Sequence, residues 1–139
     1  MSFQVMLVSD NTKLNEHVAA AARSGLRGMQ VSTFADTALA LSALDDSNAE
    51  LWPRMLIVDL DRESAECTEA LVSAVRADPR RHRLPVVAVA SDENSERVRD
   101  TFGLGVNACA RRPTTRLGAD RLLSIGTDIA ETAATQSSA

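Results

Sequence analysis

Aromatic residues are scarce in this chain of 139 residues, which has no tyrosine, one tryptophan and three phenylalanines. A folded core must therefore be built from aliphatic side chains, and a hydrophobic fraction of 45% is enough to supply them. Cysteine is limited to Cys67 and Cys109, which form no CxxC pair and no Cys/His ligand spacing. The sequence therefore predicts no zinc site.

Long runs of one charge and long apolar runs are both missing. The net charge is −4 and the isoelectric point is about 5.1, and the one basic cluster, Arg80, Arg81 and Arg83, is interpreted as a solvated loop. This balance gives no reason to expect a nucleic-acid partner. The apolar run at residues 5–8 is too short for a signal peptide, and no run is long enough to cross a bilayer. We therefore expect a cytoplasmic protein with no membrane partner.

Short apolar runs alternate along the chain with longer segments of helical periodicity. The apolar runs cover residues 3–8, 29–34, 55–58, 86–90 and 106–110. The third run is apolar without alternation, which is typical of a central parallel strand covered on both faces. Five strands alternating with five helices predict an α/β fold, a doubly wound five-stranded parallel sheet of the flavodoxin-like (βα)5 type. We expect one domain over residues 1–131, with its last helix at about 117–130, and a flexible C-terminal tail over 132–139.

Polar residues follow several of the predicted strands, where a parallel sheet places its ligand-binding crevice. Asp10 follows the first strand, Asp59 the third, Ser91 the fourth and Arg112 the fifth. Two neighbouring carboxylates repel each other and recruit a cation, so Asp10 and Asp59 with a carbonyl oxygen predict a Mg²⁺ site. A nearby arginine neutralises phosphoryl oxygens, and the combination suits a carboxylate that accepts a phosphoryl group as an acyl phosphate. A simpler interpretation stays open, in which the aspartates cap helices or form turns and the arginine is solvated.

Five segments of the chain resemble the receiver domains of bacterial response regulators, and the resemblance extends over about residues 3–130. The segments are VMLVSD at 5–10, MLIVD at 55–59, LVSAVRADP at 71–79, LPVVAVAS at 84–91 and Arg112-Pro113. The resemblance implies that Asp59 is the phosphoacceptor and takes its phosphoryl group from a histidine kinase or phosphotransfer protein. It also implies that Asp10, Asp59 and the main-chain carbonyl of Asp61 hold Mg²⁺. Arg112 stands at the position of the family's lysine.

The chain departs from the family's pattern at several site positions. Ser9 stands where a second acidic residue is expected, so one anionic metal ligand is lost and a weakened Mg²⁺ site is predicted. Ala90 stands at the position of the family's hydroxyl, and Ser91 supplies a hydroxyl only if the strand end shifts by one residue. Arg112 keeps a positive charge but has the geometry of a planar fork. Cys109 stands where a switch aromatic usually lies.

The leading hypothesis is a stand-alone, atypical response-regulator receiver in two-component signalling. It accepts phosphate on Asp59, signals by binding a downstream protein and is not an enzyme. The resemblance places its docking face on the fourth helix, the fifth strand and the last helix, where four arginines lie: Arg97, Arg99, Arg111 and Arg116. These arginines suggest an acidic partner, and the same face is a candidate homodimer interface.

Two alternatives stay open. The first is a pseudo-receiver that is never phosphorylated and binds its partner constitutively. The second is a small flavodoxin-like enzyme, although the chain has no glycine-rich phosphate loop, no Gly-x-Ser-x-Gly motif and no histidine directly after a predicted strand.

Overall fold

The structure of the chain is a computed structural model that describes residues 3–24, 28–46, 53–79, 82–92 and 95–137. The elements in chain order are β1 Phe3–Val8, α1 Thr12–Ser24, β2 Met29–Phe34, α2 Thr37–Asp46, β3 Met55–Asp59, α3 Ala65–Ala77, β4 Val86–Ala90, α4 Glu96–Leu104, β5 Ala108–Arg111 and α5 Arg116–Ser137. The basic cluster is described only at Arg83, because Arg80 and Arg81 lie outside these residues.

The five strands form one sheet in the order β2-β1-β3-β4-β5, and every pairing is parallel. One face packs on α1 and α5 and the other on α2, α3 and α4. β3 and β4 are buried at every position, which explains the unbroken apolar runs at 55–58 and 86–90. The predicted doubly wound α/β fold is confirmed. The core therefore has two aliphatic layers, represented by Leu14, Ile57 and Leu122 on one face and by Leu44, Val58 and Leu71 on the other.

The direction of strand addition reverses between β1 and β3. The chain passes from β1 to β2 on one side, whereas β3, β4 and β5 follow in order on the other side. Val8 pairs with Val58 in this register, so the next residues along each strand, Ser9 and Asp59, lie side by side. A crevice at such a reversal is the usual ligand site of an open parallel sheet.

The helix starts follow the capping chemistry of the sequence. Each of four polar side chains accepts a backbone N–H from the first turn of a helix, at 2.9 to 3.2 Å. These side chains are Asn11 at α1, Asp36 at α2, Ser64 at α3 and Ser95 at α4. Gly105 ends α4 with a φ of 109°, a left-handed conformation that favours glycine.

The last helix is longer than the sequence pattern predicts. α5 continues to Ser137, seven residues past the expected end, because alanines there favour a helix even without an apolar stripe. Within the helix, the Thr132 hydroxyl donates to the Asp128 carbonyl at 2.9 Å. The domain boundary at residue 131 stays a prediction. No helix among the described residues is long and apolar enough to cross a membrane.

Candidate functional site

Asp59 is a fully buried carboxylate at the carboxyl end of the central strand. Its Oδ2 atom accepts a hydrogen bond from the Ser9 hydroxyl at 2.7 Å, and its Oδ1 atom accepts one from the Asp61 amide at 3.1 Å. Arg112 Nη2 donates to both carboxylate oxygens, at 2.5 Å from Oδ2. A buried charge is tolerated only when it is paired and hydrogen-bonded, and Asp59 has both kinds of compensation.

The position of Arg112 follows from the pairing of the two last strands. Its backbone amide donates to the Ala90 carbonyl at 2.8 Å, so the pairing of β5 with β4 continues one residue past the strand. This directs the side chain across the end of β4 towards Asp59, and it is 16% exposed. Its Nε atom lies 3.2 Å from Asp61 Oδ2, an ion pair without hydrogen-bond geometry. One guanidinium therefore contacts two carboxylates.

Ser91 contacts Asp61 rather than Asp59. Its amide and its hydroxyl both donate to Asp61 Oδ2, at 2.9 and 2.6 Å. The Asp61 side chain thus links the end of β4 to the end of β5, through Ser91 on one side and Arg112 on the other. Ala90, the residue before Ser91, is buried and offers no hydroxyl to the crevice.

Asp10 lies at the mouth of the crevice and is paired with Arg62, a residue that the sequence pattern did not single out. Arg62 Nε is 2.5 Å from Asp10 Oδ1, and the two side chains are 46% and 50% exposed. The hydrogen bond from Arg62 holds the pKa of Asp10 below its usual range. The Arg62 amide donates to the Asp59 carbonyl at 3.2 Å, and this turn, which no periodic pattern in the sequence marks, brings Arg62 to the crevice.

The donor set does not fit a divalent cation as it is arranged here. Asp10 is bound by Arg62 and Asp59 by Arg112, and the Ser9 hydroxyl donates to Asp59 and accepts a hydrogen bond from the Asn11 amide. Among the described parts of the chain, no group of three or more His, Cys, Asp or Glu side chains is placed to hold a metal ion. Mg²⁺ prefers several carboxylate, carbonyl and water oxygens, and two guanidinium groups occupy the carboxylates here.

Cys109 lies behind the site, on β5. Burial raises the pKa of the Cys109 thiol, and its sulfur lies 3.6 Å from the Thr101 hydroxyl of α4. The thiol is therefore a packing group against α4 and not a reactive nucleophile. Because position 109 is a cysteine, it has no aromatic ring that could respond to a change in the crevice.

Comparison with known proteins gives one kind of match. No family model matches the chain, and no curated protein matches it. Among solved structures, the chemotaxis response regulator CheY4 of Vibrio cholerae superposes with a TM-score of 0.75 at 17% identity, covering 91% of this chain and 99% of that chain. The chain has the receiver fold.

Two further receiver structures agree with this fold. The phosphorylated cyanobacterial phytochrome response regulator RcpA matches with a TM-score of 0.72 at 18% identity, covering 88% of this chain and 89% of that one. The receiver domain of the sensor histidine kinase PA1611 from Pseudomonas aeruginosa, with magnesium in its active-site cleft, matches at 0.69 and 20% identity, covering 90% and 97%. The expected receiver resemblance is confirmed for the fold, whereas the roles of Asp59, Asp10, Asp61, Ser91 and Arg112 stay predictions.

Proposed function

We propose that this receiver-fold chain works in two-component signalling as a phosphoacceptor and protein-binding module, not as an enzyme. The observation that carries the proposal is the Asp59 carboxylate, buried at the strand-order reversal with Arg112 on both of its oxygens. An acidic side chain at this point of the sheet, next to a fixed positive charge, suits a group that receives an anionic phosphoryl.

The transfer step needs one free oxygen on Asp59. That oxygen attacks the phosphorus of a phosphohistidine or a small acyl phosphate, the new P–O bond forms, and the donor's P–N or P–O bond breaks with its electrons on the donor. Arg112 withdraws from one carboxylate oxygen and then neutralises the bound phosphoryl group. The other oxygen keeps its own hydrogen bond, from the Ser9 hydroxyl or the Asp61 amide, which holds the carboxylate in place during the exchange.

Mg²⁺ belongs to the proposal as a weakly held cofactor. The magnesium in the PA1611 receiver supports a divalent ion at this place in the fold. In the present chain the ligands would be Asp10, Asp59 and the Asp61 carbonyl, and a metal would compete with Arg62 for Asp10 Oδ1. Weak binding is the expected consequence.

The proposed phosphoryl donor is a histidine kinase or phosphotransfer protein, and the proposed output is binding of a downstream partner. The surface of α4, β5 and α5 carries exposed apolar side chains that include Phe102 and Leu117, which are 49% and 62% exposed. Arg111 and Arg116 are exposed on the same surface. Apolar anchors bordered by arginines suit a protein partner with an acidic patch, and homodimerisation through this surface stays a prediction.

A second candidate function is a constitutive pseudo-receiver. It is favoured by the closed Asp59–Arg112 pair, because an inaccessible carboxylate already neutralised by its own guanidinium has little tendency to attack a phosphoryl donor. The absence of a hydroxyl at Ala90 points the same way.

The two candidates differ in one measurement. The purified chain is incubated with acetyl phosphate and Mg²⁺, and the intact mass is compared with that of an Asp59→Asn variant treated in parallel. The phosphoacceptor proposal predicts a gain of one phosphoryl mass on the wild type and none on the variant. An unchanged mass on both would favour the pseudo-receiver.

A further inference from the structure

The guanidinium of Arg62 places a positive charge at the mouth of the crevice. Three carboxylates of the crevice each contact a guanidinium: Asp59 and Asp61 contact Arg112, and Asp10 contacts Arg62. Arg112 occupies the place of the family's lysine, so Arg62 is the additional positive charge. The two guanidinium charges therefore offset two of the three carboxylate charges without any bound metal.

The turn after β3 places Arg62 at Asp10. The Arg62 amide donates to the Asp59 carbonyl, so the backbone at Arg62 is fixed relative to the end of the central strand. Its Nε atom then takes Oδ1 of Asp10, an anionic oxygen that a divalent ion at this site would need. Two positive groups on one carboxylate oxygen repel each other, so metal and guanidinium compete for Asp10.

Both members of this pair are about half exposed. The contact can open and close without unfolding, because long exposed side chains exchange partners rapidly. Arg62 therefore opposes metal binding by competing for Asp10, and it does not block access to the crevice.

We propose that Arg62 is a built-in cation that neutralises Asp10 and holds divalent metal out of the acidic pocket. The inference deepens the proposed function and rests on it for its signalling meaning, while metal binding is measured without any phosphoryl donor. Removal of Arg62 frees Asp10 and is expected to tighten metal binding about tenfold, since a competing positive charge is lost.

The test is a titration with Mn²⁺ alone, followed by the electron paramagnetic resonance signal of the free ion. Wild type is expected to bind in the millimolar range and Arg62→Ala about tenfold more tightly. Arg62→Gln, which keeps most of the side chain, should show the same gain and replaces Arg62→Ala if that variant does not fold. Arg62→Lys keeps the positive charge and should remain within about threefold of wild type.

Two controls separate the local effect from net charge. Arg23→Ala removes the same charge from the last turn of α1, about 17 Å along the helix from Thr12, and should leave the affinity unchanged. Arg62→Ala combined with Asp10→Asn should lose the gain, because the freed carboxylate is gone. Equal Mn²⁺ affinity in wild type and Arg62→Ala, or an equal gain in Arg23→Ala, overturns the inference.

The proposed function fails separately. The same variants are treated with acetyl phosphate, and the absence of any mass gain in all of them contradicts phosphoacceptance. The Mn²⁺ titration still decides the role of Arg62 in that case, because it involves no phosphoryl group.

Discussion

Arg112 has the largest expected effect on stability of any single residue at the site. The Arg112→Ala variant leaves the Asp59 carboxylate buried with hydrogen bonds from Ser9 and Asp61 but no positive charge. We expect a loss of about 2–4 kcal/mol in the free energy of unfolding at pH 7. The loss is somewhat smaller than is usual when a fully buried ion pair is broken, because the arginine is partly exposed. Urea denaturation measures this loss.

A double-mutant cycle with Asp59→Asn makes this prediction specific. Removal of the charge on Asp59 should cost less than removal of Arg112, and the double variant should be close to Asp59→Asn alone. Arg111→Ala, at the exposed neighbouring position, should stay within about 0.5 kcal/mol of wild type. Additive losses in the double variant would mean that the ion pair is not what stabilises the buried carboxylate.

Glu63 is a second buried acid, on the loop between β3 and α3. Burial, with the nearby charges of Asp36, Asp10 and Asp59, raises the pKa of Glu63 above its ordinary value of 4.5. The folded state therefore binds a proton more tightly than the unfolded state. The stability that this provides is present below about pH 4.5 and is lost as the pH rises through the folded pKa.

Replacement of this acid by a neutral amide should therefore stabilise the protein at pH 7. Glu63→Gln is expected to raise the free energy of unfolding by a few tenths of a kcal/mol at pH 7, and the gain should shrink towards pH 4. Glu69→Gln, at an exposed position of α3, is the control. Thermal melts of the variant and the wild type at the two pH values give the comparison. If the gain in stability over wild type is smaller at pH 7 than at pH 4, the raised pKa of Glu63 is contradicted.

At the scale of the elements, Arg76 joins the end of α3 to the two segments that precede β4 and β5. Its guanidinium donates to the carbonyls of His82, Leu84 and Gly105 and to Asn107 Oδ1, at 2.6 to 3.0 Å. Backbone carbonyls that face a half-buried cation lose strong hydrogen bonds when it is removed.

We expect Arg76→Met to cost about 2–3 kcal/mol in the free energy of unfolding, because the new side chain keeps the packing of the stem but none of the donors. Arg121→Met, at an exposed position of α5, should have little effect. Urea denaturation compares the two variants. A loss of similar size in both variants would mean that the effect of Arg76→Met comes from the change in net charge or solubility and not from the lost hydrogen bonds of Arg76.

The elements themselves could be predicted from the sequence where periodicity and capping agree. The unbroken apolar runs at 55–58 and 86–90 predict central strands, and the structure shows Asn11 and Asp36 capping the helices that follow the first two strands. The end of α5 could not be predicted, because a helix rich in alanine and threonine has no apolar stripe to mark its last turn.

At the scale of the whole molecule, the parallel sheet is what brings the site together. Residues that are about 50 positions apart, Ser9, Asp59 and Arg112, become contact partners because β1, β3 and β5 end at the same edge. The alternation of strands and helices was sufficient to predict this meeting. Which side chains pair with each other at this edge could not be predicted. The pairing of Asp10 with Arg62 depends on the turn after Asp59, and turn geometry has no periodic signal in a sequence.

The central claim is that Asp59 accepts a phosphoryl group, and the most direct measurement is the position of the label. After treatment with acetyl phosphate, borohydride reduces an acyl phosphate to a stable alcohol and releases phosphate, and the peptide 55–62 is then sequenced by mass spectrometry. The account predicts reduction at Asp59 and none at Asp61 in the same peptide. A label on Asp61, or no reduced residue in this peptide, would contradict it.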